Sequence, residues 1–152
     1  MIYLGHTGPD IAYVLSVVSQ FMHTPSEAHI DAVNWILRYL KSALGRGLMF
    51  SWHGHLDIKG HTDADWESSV TDRRSTSGYF TFIGGNLVSW QSKKQNIMSR
   101  SSAEAEYWGM AHGVCELLWI RNLLGELRFK PNHVMQLNSD NKAVIDIAHN
   151  PV

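Results

Sequence analysis

Apolar positions change their spacing along the chain, and that change divides it. In "PDIAYVLSVVSQFM", residues 9–22, Ile11, Val14, Leu15, Val18 and Met22 fall on one stripe at helical spacing. A second helix is predicted from Thr24-Pro25-Ser26-Glu27. A Thr cap, Pro at the first helical position and Glu three residues after the cap read as a capping box. Its stripe is Val33, Ile36, Leu37, Leu40 and Leu44, and Gly45 and Gly47 end it. Trp35 belongs to the same helix and Trp119 to a later one, and both read as helix-packing residues.

From about residue 47 the period shortens to two. "GLMFSW" and "LDIKGHTDA" read as strands. "SGYFTFIGGNLVSWQS" reads as a β-hairpin turning at Gly84-Gly85-Asn86. A long helix is predicted over about 101–127, with Ser101 and Glu104 forming a capping box. "HVMQLNSD" is a short strand, and "NKAVIDIAHN" a short helix stopped by Pro151. The order is two helices, then β-β-β-α-β-α, which predicts an α/β domain over 47–152 behind a helical segment over 1–46. The last strand follows a crossover helix, so it is expected to run parallel to an earlier one. If its partner is the strand carrying Asp63, then Asp63 and Asp140 meet at the C-terminal edge of a parallel pair, where open α/β sheets place their sites.

Composition narrows the class without choosing a partner. The chain has 152 residues, 44% hydrophobic and 18% charged, and a net charge of −1. This is a globular composition with no bulk pull towards polyanions. With one cysteine, Cys115, no internal disulfide forms. No apolar run approaches the ~20 residues of a membrane span, and the N-terminus carries no secretory pattern. The expectation is a soluble intracellular protein, with nuclear, cytoplasmic and organellar sites all open. Charge is more informative locally. Residues 57–72 hold five acids and one Lys, whereas residues 73–103 hold no acid and five bases: Arg73, Arg74, Lys93, Lys94 and Arg100. Such a juxtaposition suits metal ions beside a polyanion, and a solvated surface produces it as well.

Among the acids, Glu106 stands out. At 100° per residue it shares a helix face with Met110, Leu117 and Leu124, while Glu104 lies with His112, Asn122 and Glu126 on the wet side. An inward carboxylate needs a buried cationic partner or a metal ion, and a functional site is the better account. Asp63 and Asp65 lie on one side of their strand, so alternation cannot choose between them. Asp140, taken alone, reads first as the cap of the helix that follows. His53, His55 and His61 lack the spacing of a zinc site and read as a polar connector. Trp90 reads as a core residue rather than a base-stacking one.

In this order, "TDADW", "DRRSTSGY", "GGNLVSWQSKKQ", "SRSSAEAEY" and "SDNKAVIDIAHNP" closely resemble the ribonuclease H domain of copia-type LTR-retrotransposon polyproteins. Residues 8–48 resemble the C-terminal part of the reverse transcriptase that precedes it. The resemblance covers essentially the whole chain. It implies a ribonuclease H-like mixed sheet, incomplete at its C-terminus, behind a two-helix segment. It also implies two divalent ions, Mg²⁺ or Mn²⁺, held by Asp63, Glu106 and Asp140, with Asp65 as a neighbour. The implied reaction is hydrolysis of the RNA strand of an RNA–DNA hybrid, with Arg73, Arg74, Lys93, Lys94 and Arg100 on phosphates. The rest of the reverse transcriptase is an implied partner.

The chain also departs from the family. Gly8 stands where an Arg is usual, Trp108-Gly109 replaces Arg-Ala, and no Asp-Asp pair occurs. The stretch that normally supplies a fourth carboxylate, a last strand and a further helix is expected to be missing after Val152. A fragment of a degraded element, starting at an internal Met, is therefore expected, with residual or no cleavage by this chain alone, and a non-catalytic remnant that binds nucleic acid weakly competes with the enzyme. An unrelated carboxylate-metal module is the remaining alternative.

Overall fold

The computed structural model describes residues 2–69, 72–131 and 133–150. The elements are a 3₁₀ turn (Ile2–His6), α1 (Pro9–Ser19), α2 (Glu27–Ser42), β1 (Ile58–Asp65), β2 (Thr76–Ile83), β3 (Asn86–Lys94), α3 (Ser102–Glu126), β4 (Gln136–Asn138) and α4 (Lys142–His149). They group into two compact units, Met1–Met49 and Phe50–Val152. Among the described residues no helix is long and apolar enough to cross a membrane. Pro151, expected to stop α4, lies outside the described residues.

In the first unit Ile11 and Leu15 of α1 meet Ile36 of α2, flanked by Leu4, Val18 and Leu40. The buried seam is narrower than the expected stripes. Val14 and Leu37 are half exposed, and Met22 and Leu44 lie beyond the helix ends, at 50% and 80% exposure. Trp35, expected to pack, is also open, with the Arg38 guanidinium 5.3 Å from its ring centre. The cap of α2 is Ser26 instead of Thr24. His29 explains the shift: its Nδ1 accepts from the Ser26 N–H at 3.0 Å, and Phe21 stacks on the ring at 4.0 Å.

The second unit is an α/β fold with a four-stranded mixed sheet of order β3-β2-β1-β4. β1 is antiparallel to β2 and parallel to β4, the parallel pairing running Lys59–Gln136, Gly60–Leu137 and His61–Asn138. Gly84 and Gly85, both at positive φ, form the two-residue turn of the β2–β3 hairpin, and Asn86 already begins β3. A Cβ on Gly84 would lie 2.4 Å from the His55 carbonyl, so this position is closed to other residues.

β1 alternates strictly, burying Ile58, Gly60, Thr62 and Ala64. α3 packs on that face, with Leu117, Ile120 and Leu124 against Ile58 and with Ile83, Val88, Met135 and Leu137 around them. Trp119 points away at 58% exposure, and Cys115 is exposed too. "GLMFSW" is not a strand; Met49 and Trp52 are 90% and 80% exposed. Ser51 and His53 meet the β2–β3 turn through side-chain contacts and not through a strand ladder. The segment is held by the Asn86 side chain, whose amide both donates to and accepts from the Ser51 backbone, and by His53 Nδ1 against Gly84 O at 2.6 Å.

Candidate metal centre

The parallel register sets the site. β4 ends at Asn138 opposite His61. Continued two residues along both chains, the same offset brings Asp140 level with Asp63. Beyond β4 that edge of β1 is unpaired, and the first turn of α3 lies over it. Glu106 points inward from this turn at 5% exposure and accepts a hydrogen bond from the Ala64 backbone N–H. Carboxylate oxygens of Asp63, Glu106 and Asp140 all lie within 4.8 Å of one another, and this is the one such group of metal-ligating side chains among the described residues. Asp65, two residues further along β1, lies outside it. Strand alternation left the two aspartates equivalent; the end of β4 separates them.

Asp140 is free for this role because a neighbour takes its ordinary one. Asn141 caps α4, its side chain accepting from the Val144 N–H at 3.3 Å, so Asp140 is released from the capping role. Ser101 caps α3 by accepting from the Glu104 N–H at 3.2 Å. The Glu104 carboxylate accepts from the Arg100 N–H at 2.8 Å, one residue before the expected partner. Small residues let α3 come close. A Cβ on Gly113 would sit 2.5 Å from Thr62 Cγ2, whereas one on Gly109 would make only ordinary contacts of 3.5–3.8 Å.

The electrostatics are those of a cation site. Burial, then the Asp63 charge, push Glu106 up to about 7, against the lowering effect of the Ala64 N–H; Asp140 and Asp65 add smaller upward contributions. Glu106 Oε2 and Thr62 Oγ1 are the buried side-chain oxygens that lack a hydrogen-bond partner among the described residues. A buried carboxylate oxygen left unpaired beside two further carboxylates is costly on its own. A hard divalent cation, which prefers carboxylate oxygen, removes that cost and reverses the repulsion. The donor set therefore fits Mg²⁺ or Mn²⁺.

The basic candidates are distributed differently. Arg73 pairs with Glu67, while Arg74 and Lys94 both reach Asp72, at 3.6 and 2.8 Å. The Lys94 hydrogen bond is the main cause that lowers Asp72 to about 2. Lys93 and Arg100 are exposed. Lys93 and Lys94 border a groove of about 370 Å³ shared with Asn96, His112, Glu116 and Trp119. In this groove burial and Glu116 raise the Tyr79 phenol to about 12. Nothing in the sequence pattern singled the groove out, because its lining alternates between strand and helix. His53, His55 and His61 take separate partners: the Gly84 carbonyl, Asp57 and the edge of the Phe82 ring.

Sheet order, crossover helix and carboxylate group define an α/β protein of ribonuclease H-like fold with a candidate divalent-metal centre. Comparison with known proteins then places the sequence. It is 39% identical over 150 residues to the retrovirus-related Pol polyprotein from transposon RE1 of Arabidopsis thaliana, a match covering 99% of the chain and 10% of the polyprotein. It is 39% identical over 145 residues to the corresponding polyprotein from transposon TNT 1-94 of Nicotiana tabacum, covering 95% and 11%. The secreted RxLR effector protein 161 of Plasmopara viticola is 42% identical over 114 residues, covering 75% of the chain and 80% of that protein. No protein-family model matches. Over nearly its whole length the chain is homologous to copia-type, retrovirus-related Pol polyproteins from transposons, and it spans about a tenth of the length of the polyproteins it matches.

Proposed function

We propose that the Phe50–Val152 unit is a ribonuclease H-type nuclease that hydrolyses the RNA strand of an RNA–DNA hybrid as part of a retrotransposon polyprotein. The Met1–Met49 unit is then the helical C-terminal segment of the reverse transcriptase. The observation that carries this reading is the meeting of Asp63, Glu106 and Asp140 from three separate elements. These three carboxylates would hold two divalent ions, which when bound activate a water and stabilise the leaving 3′ oxygen. Glu106 is the buried anchor, and Asp63 and Asp140 face solvent, the side from which a phosphodiester arrives. A hybrid duplex is recognised by its shape and 2′-hydroxyls rather than by sequence. Lys93 and Arg100 are the first candidates for phosphate contacts. Arg73, Arg74 and Lys94 join them by exchanging Glu67 and Asp72 for phosphate, which makes binding salt-dependent.

The same ion pairs favour a second reading, a folded remnant that binds nucleic acid weakly without cutting it. Incubating the purified chain with end-labelled RNA–DNA hybrid and Mg²⁺ separates the two. Cleavage of the RNA strand that Glu106→Gln abolishes supports the nuclease. A folded, monodisperse chain that binds the hybrid but leaves it intact supports the remnant.

A further inference from the structure

The loop from β3 to α3 contains polar side chains that take no part in the proposed chemistry and are nevertheless buried. Gln95 is 4% exposed and Ser99 2%; Ser75, just before β2, is 0% exposed and joins them. Gln95 is the node of their hydrogen bonds. Its backbone N–H donates to Ser75 O at 2.8 Å, and its Nε2 donates to Ala105 O at 2.8 Å. Its Oε1 accepts from Ser99 Oγ at 3.1 Å. The Ser99 carbonyl accepts from Trp66 Nε1 at 3.0 Å, and Ser75 Oγ accepts from the Glu67 N–H at 3.3 Å. Trp66 and Glu67 directly follow β1, and Ala105 directly precedes Glu106. Gln95 thus links, by way of Ser99 and Ser75, the residues that follow the strand of Asp63 to the helical turn of Glu106.

Two features make this link more than filler. A carbonyl in the first turn of a helix already has its partner four residues on, so Ala105 O does not need the Gln95 donor for satisfaction. The extra bond fixes where the turn sits. Large side chains do not fix it, because apart from Glu106 the buried residues of α3 here are Ala105, Gly109 and Gly113; the large apolar contacts start at Leu117.

We infer that Gln95 is a positioning residue, whose amide holds the first turn of α3, and with it Glu106, in register against β1. The consequence for metal affinity rests on the reading of Asp63, Glu106 and Asp140 as a metal centre; the consequence for the helix does not.

The test compares Gln95→Met, of similar size without hydrogen bonds, with Leu124→Ala, which removes core packing about 27 Å further along the same helix. Two readouts on the full chain are residue-resolved amide hydrogen exchange and Mn²⁺ binding by electron paramagnetic resonance. Gln95→Met is expected to raise exchange at Glu106–Gly109 about tenfold over Leu124→Ala, and to weaken Mn²⁺ binding about tenfold, the scale seen when a group supporting a ligand is lost. Leu124→Ala is expected to keep Mn²⁺ affinity within about twofold of wild type. Ser99→Ala, a milder cut in the same network, moves both readouts the same way by about two- to threefold and decides the matter if Gln95→Met does not fold. Wild-type exchange and affinity in Gln95→Met, or equal changes in Leu124→Ala, overturn the inference. If the wild-type chain shows no Mn²⁺ binding that Glu106→Gln removes, the metal centre fails, and the exchange arm alone decides on Gln95.

Discussion

The two ends of α3 are built by different rules. At the far end Leu117, Ile120 and Leu124 bury against Ile58 in an apolar cluster of the kind that stabilises any α/β layer. At the near end Ala105, Glu106, Gly109 and Gly113 face Thr62, Ala64 and Ser77, and the buried groups include a carboxylate, an amide and hydroxyls. Apolar packing and the candidate metal centre are therefore separated along one helix. The apolar end tolerates any well-packed hydrophobic sequence. The polar end is costly to bury, and its small residues exist to bring a carboxylate close to the edge of β1.

Substitutions can sharpen that contrast. The largest loss is expected at the apolar end: Leu117→Ala should cost about 2–5 kcal/mol in urea denaturation, the range for a buried leucine. Gly113→Ala should cost about 1–3 kcal/mol by overpacking, because the new Cβ meets the branched, buried Thr62 at 2.5 Å.

At Glu106 the sign reverses. Glu106 has its folded value raised from 4.5 to about 7, so the folded metal-free protein binds more protons than the unfolded chain between those limits. Its contribution to stability is full below about pH 4.5, is lost as pH rises towards about 7, and is flat above. Glu106→Gln should flatten that slope and make the metal-free protein more stable than wild type at pH 8, by on the order of 1–3 kcal/mol. Denaturation across pH 4–8 checks it. The smallest effect is expected at Gly109→Ala, whose Cβ finds only ordinary contacts. It should stabilise by up to about 1 kcal/mol, as helix propensity dictates.

The same contrast governs how much the sequence reveals. Periodicity exposes the apolar end of α3 and the strands of the hairpin, since each reflects burial repeating every two or 3.6 residues, and the crossover helix exposes the parallel last strand. It also exposes Glu106, because a charge on an apolar stripe is visible to a helical wheel. It cannot separate Asp63 from Asp65 on one strand face, nor Asp140 from Asn141 as a cap, since either residue type caps a helix. "GLMFSW" carries a strand's composition but joins no ladder; within it Ser51 is held by the Asn86 side chain instead. The Gln95 network is hidden for a further reason: in "QSKKQNIMSRSS" a buried glutamine looks like any loop polar. Trp35 and Trp119 mislead because aromatic size suggests packing even where the helix turns them outward.

The central claim is that Asp63, Glu106 and Asp140 form a centre for divalent cations. It is tested most directly by the thermal midpoint at pH 8, with and without millimolar Mg²⁺, for wild type and Glu106→Gln. Binding to the folded state alone raises the midpoint by mass action. The wild-type midpoint should be the lower of the two without Mg²⁺ and rise when it is added, while that of Glu106→Gln stays where it is. Equal shifts in both proteins, or none in either, would contradict the account.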